Sequence, residues 1–210
     1  MGLQKAKNPI IDNSLDHWKQ CDAALQKFTP ALSMGFPCEA GDLNRLSSRY
    51  RLAKSFESIN LTEYAKDTND GYSSIFRVFL AYSAFEQLLD CCGIKMNSLE
   101  AALPGYSSNE LMSSIRSIEK YDAYFKAIHA HLDHERHRNQ VEAFLEGKAC
   151  NVLYLPAAVR HIFAHGKLTP NSGAVPPLSV VAISTLLVEF LFVVMNGEFT
   201  ARLRASGVVV

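Results

Sequence analysis

The stretch LSVVAISTLLVEFLFVVM, residues 178–195, decides what kind of fold this chain can form. Its polar residues are few: Ser179, Ser184, Thr185 and Glu189. A helix of this length is just able to span a bilayer, but an isolated carboxylate inside hydrocarbon is costly. A helix that is apolar on every side is more often buried in a protein core or a dimer interface. We therefore predict a buried helix that continues to about Arg204, and no membrane partner.

The rest of the chain carries helical signals and lacks the sustained alternation that strands require. Glycines suit three helix ends, at Gly93, Gly147 and Gly166, and Pro156 suits a first helical turn. The predicted segments run from Ser14 to Phe28, from Asp42 to a break at residues 69–71, from Ser73 to Cys92, from a capping box of Ser107 and Glu110 through Leu132, from the polar segment after Leu132 to a stop at Gly147, and from Pro156 to Ala164.

These segments predict an all-α fold, an antiparallel helical bundle of about six to seven helices. In this interpretation residues 1–41 form an N-terminal appendage, a short helix followed by an irregular stretch that contains Pro30, Gly35 and Pro37. Residues 42–210 form the helical domain. Hydrophobic residues make up 48% of the 210 residues, which is enough to give such a domain a sizeable core.

Charge and cysteine usage exclude several protein classes. Lys and Arg together number 21, as do Asp and Glu, so any attraction for nucleic acid must come from a local patch. The five cysteines include no CxxC pair, which argues against a disulfide framework or a zinc site and favours a reducing cytosol. The first residues contain no apolar stretch that would indicate a signal peptide. We predict a cytoplasmic protein.

Motifs for common cofactors and metals are missing from the sequence. There is no GxxxxGK[ST], GxGxxG or GxSxG motif, and no acidic cluster indicates a two-metal site. We therefore expect no cofactor and no metal.

The segment RHIFAHG, residues 160–166, carries the side chains best suited to chemistry. Histidine titrates near neutral pH and can accept or donate a proton, which favours a catalytic role for His165 and His161. Arg160 offers a planar fork of donors that matches phosphate oxygens, and Lys167 adds charge nearby. Such a set can cleave RNA without a metal, although Arg and His near a helix end also simply complement the helix dipole.

The spacing of these residues raises a geometric problem. Residues five apart on a regular helix are rotated by about 140° from each other, so Arg160 and His165 do not share a face. His161 and His165, four apart, do share one. Either the helix loosens before Gly166 or the site combines residues from two chains.

The pattern of Arg160, the polar His161 and then His165 resembles the R-x4–6-H motif of HEPN domains. The upstream stretch FRVFLAYSAFEQLLD, residues 76–90, resembles the early helix of these domains. The resemblance covers about residues 42–204 and implies metal-independent endoribonuclease activity, with homodimers whose motifs face each other. It also implies roles in toxin–antitoxin, defence and RNA-processing systems, while some members only bind. The family often has Asn where this chain has His161.

Two groups of residues are candidates for supporting roles. Glu86 lies with Tyr82 on the apolar early helix, and a carboxylate turned toward a core needs a partner, for which Arg160 is suited. Glu86 either orients Arg160 or forms a core or rim salt bridge. The segment HAHLDHERHR, residues 129–138, resembles a solvated helix face. A metal site or a basic RNA contact patch is the alternative for this segment.

The sequence thus predicts a HEPN-type metal-independent endoribonuclease that acts on RNA as a homodimer, as a toxin or defence component. A toxin of this kind would have a protein antitoxin as partner. One alternative is a non-catalytic module of the same fold that binds RNA, nucleotide or a protein. The other is an unrelated helical bundle in which the motif has no function.

Overall fold

A computed structural model of the chain describes residues 13–99 and 108–210. These residues form α-helices without strands, which confirms the predicted all-α helical bundle. The helices are α1 (Trp18–Gln26), α2 (Ala40–Ser55), α3 (Lys66–Cys92), α4 (Met96–Leu99), α5 (Ser108–Ile118), α6 (Ala123–His129), α7 (Glu135–Leu145), α8 (Tyr154–Ala164) and α9 (Pro177–Ala205). Short 3-10 turns occupy Ala31–Met34 and Ser172–Ala174.

Helix α9 contains the stretch 178–195. It packs mainly against α3, and α2 packs on α3 in turn. The Asn196 amide donates to the Tyr50 hydroxyl at 3.1 Å and Lys54 lies over the Phe192 ring, so α2 runs antiparallel to α9. Helices α3 and α9 run in the same direction, since residues 70–77 face residues 181–188 and Cys92 lies near Arg202.

Helix α9 is long and apolar enough to cross a membrane by length and composition, and half of its most apolar 18-residue window is buried inside the bundle. Its outward face exposes Leu178, Val193 and Glu189. The apolar residues of α9 therefore extend beyond the surface that the described part of the bundle covers.

The predicted break at residues 69–71 is wrong, because α3 runs through them from Lys66. Each of the three residues has a local role inside the helix. The Asn69 side chain accepts a hydrogen bond from the Leu61 backbone at 3.2 Å, and Asp70 pairs with Lys66 at 2.6 Å. Gly71 lets the Pro170 ring approach the helix closely. The preceding helix α2 ends instead at Ser55.

The single helix predicted through Leu132 is two helices, α5 and α6, in the structure. Between them Asp122 takes a left-handed conformation with φ of 55°. The Glu119 carboxylate accepts hydrogen bonds from the backbone N–H groups of Tyr121 and Tyr124, which closes the turn. Ser107 of the predicted capping box lies outside the described residues.

The described residues before Asp42 pack on α9. The rings of Trp18 and Phe36 contact Phe199, with centroids at 6.1 and 5.2 Å. The Arg202 guanidinium donates to the Gly35 carbonyl at 2.7 Å. This part of the predicted N-terminal appendage thus contributes to the same hydrophobic core as the helical domain.

Helix α8 carries the RHIFAH segment and ends as predicted at Ala164. Pro156 lies in its first turn. Beyond its end, Gly166 has a φ of 69°, its N–H donates to the Phe163 carbonyl, and the Lys167 N–H donates to the Ile162 carbonyl. This pair of bonds is a Schellman motif, which needs a left-handed residue and so favours glycine. Helix α8 packs between α3 and α7.

Candidate functional site

The C-terminal half of α8 reaches the surface while its N-terminal half is buried. Residues 154–159 are buried, Arg160 and His161 are half-buried, and His165 is exposed. The N–H of His165 still donates to the His161 carbonyl at 3.2 Å, so the helical turn persists up to this residue. The predicted loosening of the helix before Gly166 is therefore absent, and Arg160 and His165 project from different sides of α8.

Arg160 points toward α3, where it contacts two side chains. Its Nη2 donates to Glu86 Oε2 at 3.3 Å, which is the pairing that the sequence suggested. Its guanidinium carbon lies 5.9 Å from the centroid of the Phe79 ring. Its Nε is buried without a hydrogen-bond partner. These contacts hold the guanidinium in one direction, with about a third of the side chain still exposed to a ligand.

Glu86 is half-buried on the same surface. Burial raises the pKa of its carboxyl, and the charge of Arg160 opposes that rise. Because its side chain remains partly exposed, the pair with Arg160 is a rim ion pair and contributes little stability by itself. Its main consequence is the orientation of Arg160.

His161 and His165 point toward α7, where they meet two further histidines. The ring centroids of His161 and His165 are 4.6 Å apart, and those of His137 and His161 are 5.7 Å apart. His134 and His137 are separated by 4.6 Å. Four imidazoles therefore form one continuous row from α7 to the end of α8, which we call the histidine row.

The histidine row was missed by the sequence analysis, which treated residues 129–138 as a solvated face. That prediction is right for the charged residues of the segment, because Asp133, Glu135, Arg136 and Arg138 are exposed. It is wrong for His137, which is half-buried and also contacts the Tyr154 ring at 5.5 Å. The short connection between α7 and α8 was the available signal, since it makes the two helices neighbours.

The local environment keeps the inner histidines neutral near pH 7. The pKa of His137 is lowered to about 4, mainly by burial and in smaller part by the neighbouring His134 and His161. Burial also lowers the pKa of His161, with additional contributions from His165 and the charge of Arg160. A neutral imidazole can accept a proton, so these two rings have the protonation state of a base at neutral pH.

The other predicted supporting residues lie at the edges of this surface. Lys167 is exposed and its Nζ lies 3.6 Å from Asp133 Oδ2, so it is placed beside the histidine row. Tyr82 is buried in the core, where its hydroxyl contacts Met96 Sδ at 3.7 Å and its ring packs on Phe85. Tyr82 therefore supports the surface from below and cannot contact a ligand there.

Within the described part of the chain, no group of three or more His, Cys, Asp or Glu side chains has a geometry that could hold a metal ion. The contacts of the histidine row are between ring faces and edges, as the interplanar angles of 31°, 65° and 87° show. What the surface offers chemically is an oriented guanidinium and imidazoles that can exchange protons.

Comparisons with protein-family models, with curated proteins and with solved structures found no match to this chain.

Proposed function

We propose that this chain is a metal-independent endoribonuclease of the HEPN type, with Arg160, His161 and His165 as its catalytic residues. The observation that carries the proposal is the end of α8. There an exposed imidazole contacts a second imidazole at 4.6 Å, one turn from a guanidinium oriented by Glu86.

The chemistry that such a set supports is transesterification within RNA. One imidazole takes the proton of the 2′-hydroxyl as its oxygen attacks the neighbouring phosphorus. The bond from phosphorus to the 5′-oxygen breaks, and a second, protonated imidazole gives its proton to that oxygen. The products are a 2′,3′-cyclic phosphate and a free 5′-hydroxyl. The lowered pKa of His161 suits the base, and His165 lies within reach of it as the acid.

Arg160 is suited to the charge that develops on the phosphate. A guanidinium stays protonated and presents parallel donors that match two phosphate oxygens. Donors held in place before the reaction stabilise the transition state more than donors that must first be ordered. Glu86 and Phe79 supply that order, since both contact the Arg160 guanidinium from α3.

The different directions of Arg160 and His165 favour a site shared by two chains. Within one chain the guanidinium faces α3 and the row of imidazoles faces α7, so the two groups flank the exposed ridge of α8. A two-fold homodimer would bring Arg160 of one chain toward His165 of the other. The exposed apolar side chains on α9, Leu178 and Val193, offer surface that such a dimer could bury.

One observation favours the alternative of a non-catalytic module that binds RNA, nucleotide or a protein. The ion pair with Glu86 partly neutralises Arg160, which weakens its attraction for a phosphate. In that case the histidine row and Lys167 would form a contact surface without cleavage. The proposal of a ribonuclease also includes a role in a toxin–antitoxin or defence system, an antitoxin as protein partner and a cytoplasmic location.

The decisive experiment is a gel assay of RNA cleavage in EDTA, with the wild type beside two variants. We expect His165→Ala to lower the cleavage rate by about 10²- to 10⁴-fold, the usual contribution of a general acid or base. Arg160→Lys should also lose RNA cleavage, because lysine keeps the positive charge but lacks the paired N–H donors of the guanidinium. His131→Ala, an exposed histidine outside the row, is the matched control.

The outcomes separate the two candidate functions. Cleavage that leaves cyclic phosphate ends and survives EDTA supports the ribonuclease. Activity that requires Mg²⁺, or that both variants retain, contradicts it. Wild-type protein that binds labelled RNA in a fluorescence anisotropy titration without cutting it supports the binding module instead.

A further inference from the structure

A cavity of about 220 Å³ lies between α3 and α9, on the side of α3 that faces away from Arg160. Helix α3 contributes Asp70 and Arg77 to its wall, and α9 contributes Val181 and Ser184. The cavity is smaller than the sites of roughly 300–1,000 Å³ that hold drug-sized ligands, so its ligand would be a small molecule.

Arg77 is the clearest indication of a ligand at this cavity. The side chain is half-buried, and its Nε is fully buried without a hydrogen-bond partner. In the described part of the chain, no carboxylate lies within 4.0 Å of this guanidinium, although Glu57 and Asp70 line the same cavity. Removing such a group from water without a partner is costly, which favours an anionic group of a ligand beside it.

Ser184 provides a second and independent indication. The residue is 1% exposed and its hydroxyl has no hydrogen bond. The Tyr124 hydroxyl approaches it from the core without forming a hydrogen bond of normal geometry. Three other hydroxyls at the cavity, those of Ser73, Ser74 and Thr185, donate to backbone carbonyls. Ser184 thus adds a buried hydroxyl at the cavity wall whose proton no backbone carbonyl accepts.

The two carboxylates at the cavity differ in whether they already form an ion pair. Asp70 is held by Lys66 at 2.6 Å, whereas Glu57 is exposed and has no ion pair among the described residues. A purely anionic ligand would meet repulsion from Glu57, while a ligand that also carries a positive group would pair with it. The side chains of Val181 and Val188 supply apolar surface in the same cavity.

We propose that this cavity binds a small zwitterion of the α-amino-acid class. Its carboxylate contacts Arg77 and Ser184, its ammonium group faces Glu57, and a short apolar side chain packs on Val181 and Val188. The cavity wall combines a cationic, an anionic and an apolar side chain, the three kinds of group that complement an amino acid with an apolar side chain. This site is independent of the proposed ribonuclease.

The test is an NMR titration of the ¹⁵N-labelled full chain across the millimolar range with three probes that share one side chain. L-valine carries both charges, isovalerate lacks the ammonium group, and isobutylamine lacks the carboxylate. Glycine and L-alanine cover the case of a tighter cavity. We expect saturable shifts at the cavity residues with an amino acid and at least 10-fold weaker binding of the two analogues.

Variants locate the site. Arg77→Gln should weaken amino-acid binding by about 10- to 100-fold, the range for a lost hydrogen bond to a charged group. Glu57→Gln should weaken L-valine but leave isovalerate unchanged or improved. Arg51→Gln, an exposed arginine on α2, is the control and should bind as the wild type does.

Three results would overturn the proposal. No saturable shift with any of the amino acids would mean that the cavity holds only water. Equal binding of isovalerate and L-valine would indicate a plain anion site. Unchanged binding by Arg77→Gln would place the binding elsewhere on the chain.

Discussion

Replacing Gly71 with alanine tests how the loop after His165 is held against α3. Gly71 is buried inside α3, and an added Cβ would lie 2.5 Å from Pro170 Cβ and 3.0 Å from Pro170 Cγ. Alanine gains about 1 kcal/mol over glycine in a helix interior. Overpacking a core costs about 1–3 kcal/mol, and a proline ring cannot rotate away, so the upper part of that range applies. We expect a net loss of about 1–2 kcal/mol in the free energy of unfolding.

Urea unfolding followed by circular dichroism measures this loss as a lower midpoint. With a slope of about 2 kcal/mol/M, the midpoint should fall by about 0.5–1 M. Gly41→Ala is the matched control, because the nearest atom to a Cβ there is Arg45 Nη1 at 3.7 Å, an ordinary contact at the end of a flexible side chain. A Gly71→Ala variant as stable as the wild type would contradict the packing of Pro170, and with it the loop that follows His165, against α3.

Two further predictions concern the histidine row and the shared site. The pKa of His137 is about 4 in the folded chain against 6.5 when unperturbed, so stability is complete above pH 6.5 and declines as the pH falls from 6.5 to 4. The full pKa shift corresponds to about 3 kcal/mol, and screening at this half-buried ring reduces the expected loss of stability to about 1–2 kcal/mol. In urea unfolding at pH 6.5 and pH 4, His137→Gln should remove this pH-dependent loss, whereas His131→Gln should retain it. For the shared site, mixing the inactive variants Arg160→Lys and His165→Ala under conditions that exchange subunits should restore about a quarter of the wild-type cleavage rate, because half of the dimers are mixed and each has one intact composite site. No recovery, or a wild type that light scattering shows to be a monomer, would contradict the shared site.

Local signals were enough to predict most of the helices, and they failed where a residue serves a distant contact. Helices α8 and α9 end where glycine, proline and the apolar run indicate, because those signals act within a few residues. Gly71 was misread as a break, since its role depends on Pro170, far away in the sequence. Asp122 was misread as helical because its side-chain type alone does not indicate the left-handed turn that Glu119 closes.

In the candidate site, too, local features could be predicted and features that depend on distant contacts could not. The pairing of Glu86 with Arg160 could be predicted, because a carboxylate on an otherwise apolar helix needs a cation nearby. The contact of His137 with His161 could not, since it depends on how α7 crosses α8. The charged residues around His137 indicate the solvated side of α7, and they do not reveal that this histidine turns inward.

The helical geometry that made the motif difficult to interpret also explains how the surface is divided. A five-residue spacing directs Arg160 to α3 and His165 to α7, so a single α8 presents its guanidinium and its imidazole on different sides of one ridge. In the proposed ribonuclease the first side would bind the phosphate and the second would transfer protons. A phosphate bound at Arg160 would meet His165 across that ridge or from another chain. The lowered pKa of His161 keeps one ring ready to accept a proton, and burial of His137 fixes the row behind it. We therefore expect RNA cleavage to depend on dimer formation, whereas simple binding to the histidine row would not.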